Sequence, residues 1–158
     1  MVREALGTTA GDRRPSRLPR AQVFCVVVGA FLVAAGVLGF FYTGDFSTGS
    51  ATTEPENRDA VLGILEVNGW LNLVHLATGV LALAFAPSTS YARAYALVFG
   101  VTYLIVATLG FAVGDGDSIF NLIPVNTEDN VFHLLLGVAG IAAGASGPEV
   151  PAPTAAAS

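Results

Sequence analysis

The chain has no lysine at all. Its seven positive charges are all arginine, against twelve carboxylates, for a formal net charge of −5. A surface of that sign does not suit nucleic acid, whose phosphates demand a basic face. Charged residues make up only 12% of the 158 residues, against roughly 25% in an ordinary soluble domain. Cysteine is nearly absent: Cys25 stands alone and has no partner for an internal disulfide. Set in an apolar run, it reads as a small buried hydrophobe. There is no Gly-rich phosphate loop, no G-x-S-x-G, no H-E-x-x-H and no Cys cluster, and serine is confined to tails and loops. Nothing here carries an enzyme signature, so a catalytic role is not expected.

What the chain does have is apolar length. It is 53% hydrophobic, with a mean hydropathy of +0.65. A bilayer core about 30 Å thick takes roughly 20 apolar residues in a helix. Four runs are predicted to span it: 21–42, about 61–86, 91–113 and about 124–145. The "PSTS" stretch, 87–90, breaks the second run from the third. The first run is too long for the usual signal core of about 7–15 residues, and its end, "GFFYTGD", lacks a small-x-small cleavage pattern. It is read as a retained span.

Arginine placement sets the orientation. Arg3, Arg13, Arg14, Arg17 and Arg20 precede the first span and Arg93 follows the 87–90 turn. That side is cytoplasmic. The other two loops hold Arg58 against Asp45, Glu54, Glu56, Asp59, Asp115, Asp117, Glu128 and Asp129, and face outward. The expected organisation is an Arg-rich cytoplasmic tail over 1–20, a transmembrane domain over 21–146, and a Pro/Ala-rich disordered cytoplasmic tail over 147–158. The protein is placed in the cell membrane with both termini cytoplasmic and the lipid bilayer as its partner. A homo-oligomer or a membrane-complex partner is compatible with this.

The chain also repeats itself. "DAVLGILEVNGWLNLVHLATGV" from Asp59 aligns with "DSIFNLIPVNTEDNVFHLLLGV" from Asp117, at a constant offset of 58. Asn68, Asn72, His75 and Gly79 fall on Asn126, Asn130, His133 and Gly137. The first and third spans align at an offset of 71, with "LGF" 38–40 on "LGF" 109–111. The predicted fold is therefore an all-α membrane protein, with four transmembrane helices built from two parallel helical-hairpin repeats, about 21–86 and 91–145.

These motifs, "VNGWLNLVHLATGVLAL" (67–83), "LGFAVGDGD" (109–117) and "PVNTEDNVFHLLLGVAG" (124–140), resemble a prokaryotic membrane family catalogued as domain of unknown function 4383. The resemblance covers about 21–145. It implies a four-helix integral membrane protein and brings no activity with it.

At about 100° per residue, Asn68, Asn72, His75 and Gly79 form one narrow stripe, as do Asn126, Asn130, His133 and Gly137. Unpaired polar groups facing lipid cost several kcal/mol, so both stripes are expected to face inward as a polar seam. Glu66 is expected to reach headgroups or water. Trp70 suits an interfacial belt, and Pro124 a helix start. The favoured role of the seam is packing: Asn and His bonding across helices in a structural or accessory protein. One alternative is a small transporter or channel component using the intramembrane histidines. Another is an electron carrier in which His75 and His133 ligate one haem iron, with the glycines making room and Asn72 and Asn130 supporting the ligands. Zinc asks for more ligands than two histidines. No metal or cofactor is committed.

The orientation predicts labelling behaviour. A membrane-impermeant thiol reagent added outside should reach a cysteine placed at Ser50 and miss one placed at Ser88; the reverse pattern would invert the topology.

Overall fold

The computed structural model describes residues 18–54 and 59–147. The arginines up to Arg17, the stretch 55–58 with Glu56 and Arg58, and the C-terminal tail from 148 lie outside the described residues. The fold is mostly helical. In chain order it runs α1 (Arg20–Tyr42), a 3-10 turn (Gly49–Thr53), β1 (Asp59–Val61), β2 (Leu65–Val67), α2 (Gly69–Phe85), α3 (Thr89–Val113), β3 (Asp117–Ile119), β4 (Ile123–Val125) and α4 (Thr127–Ala145).

Helices α1 and α3 are long and apolar enough to cross a membrane. Their 23 and 25 residues correspond to about 35 and 38 Å at 1.5 Å per residue. Helix α2 is apolar but has only 17 residues. Helix α4 has 19 and carries Glu128 and Asp129 in its first turn. The helix starts follow local chemistry. Pro19 precedes α1, and the Ser88 side chain accepts from the Tyr91 N–H at the start of α3, so the "PSTS" turn is also a cap.

The runs expected to open the second and fourth spans are not helical. Each folds instead into a two-stranded antiparallel hairpin. Asp59 pairs with Val67 in the first, and Asp117 with Val125 in the second, a shift of 58. The all-α expectation missed both. An apolar run this short does not reveal its period, and what decides it is the turn. Leu62 and Gly63 have φ of 57° and 70°, and Phe120 and Asn121 have 54° and 55°. The Ile64 and Leu122 amides close these turns on Val61 and Ile119, both at 3.1 Å. Two successive positive φ values define a type I′ turn. Pro124 therefore sits within β4 opposite Ser118, not at a helix start.

Helices α1 and α2 pack along their length, as do α3 and α4; contacts between the two pairs are sparser. Glycine makes the close packing possible. A Cβ on Gly79 would lie 2.8 Å from the Gly29 carbonyl oxygen, and one on Gly140 would lie 2.9 Å from the Ala96 carbonyl oxygen. Neither site admits a side chain without moving backbone. The polarity of the bundle is inverted relative to a water-soluble domain. Asn68, Asn72, Asn130 and His133 are buried, while Val27, Val98 and Leu135 are more than half exposed.

Gly140→Leu should therefore lower stability in detergent by about 1–3 kcal/mol. Gly44→Ala, at a position with nothing within 4 Å, should stay within about 0.5 kcal/mol of wild type. Thermal unfolding of the two variants side by side checks this.

Candidate functional site: a polar clamp above an apolar cavity

The eight residues of the expected stripes do not form one seam. They separate into three arrangements.

Asn68 and Asn126 stand just before their helices as N-caps. Asn68 Oδ1 accepts from the Leu71 N–H, and Asn126 Oδ1 from the Asp129 N–H, both at 2.8 Å. Each cap satisfies an amide that a helix start leaves without an intrahelical partner. Their Nδ2 groups then reach across the molecule. Asn68 Nδ2 donates to the Leu122 carbonyl, and Asn126 Nδ2 to the Ile64 carbonyl, each at 2.6 Å. Each amide thus grips the turn of the other hairpin.

Asn72 and Asn130 lie one turn into their helices and face the neighbouring helix of their own pair. Asn72 Nδ2 donates to the Thr43 carbonyl at 3.1 Å. The Oδ1 atoms of Asn72 and Asn130 meet no N–H or O–H donor among the described residues. Asn72 Oδ1 rests on Gly39 and Asn130 Oδ1 on Gly110, where any Cβ would collide with it. Each oxygen packs against the bare backbone of its glycine. Gly79 and Gly137 belong to the same helix interfaces: Gly79 packs on Gly29 and Val33, Gly137 on Leu104. The space expected for a flat ligand beside these glycines is filled.

His75 from α2 and His133 from α4 come together at a cavity of about 250 Å³, walled also by α1, the β1–β2 hairpin and α3. His133 is buried, with its ring edge-on to Tyr103 at 5.4 Å and 76°. Its Nδ1 has no partner among the described residues. His75 is half-buried. Phe31, Leu32 and Phe132 make much of the wall.

Two acids join them. Glu66, expected at the headgroups, is instead buried in β2 at 6% exposure and lines this cavity, as does Asp129, also at 6%. The Glu66 N–H donates to Asp129 Oδ2 at 3.0 Å. The Asp129 carboxylate also engages the Asn126 backbone amide, in the manner of a capping box. The "NTED" stretch signals that capping role. Burial of the carboxylate against the other hairpin has no local signal. Trp70 is half-buried, with Nε1 donating to the Phe46 carbonyl at 3.1 Å.

Chemically, two imidazoles, two carboxylates and the ring of Tyr103 edge an otherwise apolar space. No Arg, Lys, Ser or Cys lines it. Among the described residues, no three His, Cys, Asp or Glu side chains are grouped to hold a metal ion. The cavity also falls short of the roughly 300–1,000 Å³ usual for cofactor and drug-sized sites, which leaves little space for a porphyrin.

A mostly helical chain with two helices able to cross a membrane, inverted polarity and a paired Asn/His pattern defines the class. The family model described as "Domain of unknown function (DUF4383)" matches residues 22–146, and the chain belongs to that family. No curated protein and no solved structure matched.

The clamp can be dissected at one residue. Asn68→Ser keeps a capping oxygen but lacks the donor to Leu122, and should cost about 1 kcal/mol. Asn68→Ala loses both bonds and should cost about 2 kcal/mol. Equal losses in thermal unfolding would mean that the reach to Leu122 contributes nothing.

Proposed function

We propose that the chain is a four-pass membrane protein made of two parallel hairpin repeats, with both termini cytoplasmic, and that its role is structural or accessory. The observation that carries the packing role is the reciprocal pair of Asn amides. The nitrogen and the oxygen of each are both engaged inside the molecule, each amide holding the opposite turn, which is what residues committed to architecture do. The repeat reading draws support from the register: strand pairing, positive-φ turns, caps and Gly–Asn contacts all recur at matching positions. The four-span reading draws support from the exposed apolar faces of α2 and α4, such as Val80 and Val138, both more than half exposed. These surfaces suit lipid better than water.

A second reading, a small transporter or channel component, is favoured by one observation: two histidines and two carboxylates meet at one cavity, and intramembrane ionisable groups mark pathways. The haem reading rests on the same two histidines and lacks space.

Three measurements on the full chain separate these. Alkaline carbonate should leave it in the membrane pellet; release by carbonate would end the four-span reading. Proteoliposomes should show no proton or solute flux above empty vesicles; a flux lost in His75→Ala would favour transport. The visible spectrum, before and after dithionite, should be featureless after expression with adequate haem. A Soret band lost on replacing either histidine would overturn the structural role.

A further inference from the structure

We propose that the cavity beneath β2 is a binding site for a small apolar amine in its ammonium form, with the charged head at Asp129 and the body against Phe31, Tyr103 and Phe132. The proposal does not depend on how many helices cross a membrane.

The first ground is the cavity itself. At the glycine contacts the helices approach until a single methyl would collide with backbone, yet about 250 Å³ is left open here; a larger space of about 420 Å³ along α2 and α3 is lined by no acid or imidazole. Close-packed interiors hold few voids larger than a water molecule. An apolar cavity of about 150 Å³ stays dry and takes up benzene, so this one has room for a ring with a short substituent.

The second ground is sign. Asp129 and Glu66 line the space together with two imidazoles, and no Arg or Lys does. Among the described residues the arginines are Arg20, at the start of α1, and Arg93, whose Nε donates to the Gly144 carbonyl. Both lie at the end of the bundle opposite the hairpins. An anion would find no counter-charge. A cation would meet Asp129, whose two oxygens have acceptor sites beyond those taken by the Glu66 and Asn126 amides. The hairpin end also carries Asp45, Asp59, Asp115, Asp117 and Glu128, a field that concentrates cations near the cavity.

The third ground is the wall. Phe31, Tyr103 and Phe132 offer ring surfaces to an ammonium or to the methylenes beside it. His133, buried and edge-on to Tyr103, keeps its Nδ1 without a protein partner. The ligand class this set selects has an apolar body and one cationic, hydrogen-bond-donating head.

The test uses the full chain in mild detergent and three probes of one shape: benzylammonium, benzyl alcohol and benzoate. Benzylammonium should raise the unfolding temperature saturably, while the alcohol and the acid should not. Asp129→Asn should weaken the benzylammonium titration at least about tenfold, the loss expected for a charge-assisted bond. Because that variant also touches the clamp, Ala35→Leu provides a second check. It narrows the cavity from α1, leaves Asp129 in place, and should abolish the response in a protein that still unfolds cooperatively. An equal response to benzyl alcohol, an unchanged titration in a folded Asp129→Asn protein, or no response in wild type would each overturn the proposal.

Discussion

Helix starts and tight turns leave backbone groups in need of partners, and in this molecule two side-chain amides supply them. Asn68 and Asn126 each close a helix start with the oxygen and hold a distant turn with the nitrogen. The position of the β2 and β4 layer over the helices follows from these four bonds. The placement of Glu66 and Asp129 against one another follows in turn, and with it the upper wall of the cavity. Serine or aspartate at either position would cap equally well, but neither brings the donor that reaches across.

The two halves are not copies at the place where they meet. Glu66 donates its amide to Asp129. At the matching positions stand Pro124 and Leu71. Proline has no N–H to give, and leucine has no acceptor to receive one. The donor and the acceptor are therefore missing from the second contact together. One side of the interface is polar and the other apolar. Both residues of the polar contact line the cavity.

Much of the helical frame was legible in the sequence, because α1 and α3 are long runs with unambiguous ends. The expected limits, 21–42 and 91–113, differ from those observed by two residues or fewer. The stripe reading held only in part. His75 and His133 are near one another at a shared cavity, but Asn68 and Asn126 precede their helices, so a helical wheel misplaced them. The hairpins were missed because three-residue strands are too short to show alternation, and Leu62 and Phe120 are bulky residues where a left-handed turn ordinarily takes Gly or Asn. The burial of Glu66 was illegible for a different reason. It depends on Asp129, 63 residues away, and no local pattern reports a contact at that distance.

The reciprocal grip also makes an obligation. Each hairpin owns the amide that satisfies the other's turn, so neither owns what it needs itself. A chain cut between α2 and α3 would leave Asn68 reaching for a carbonyl that has gone. Two molecules of a single half, however, would present each other with the same donor and the same turn. The clamp therefore closes only between two such units, and either one alone holds half of it.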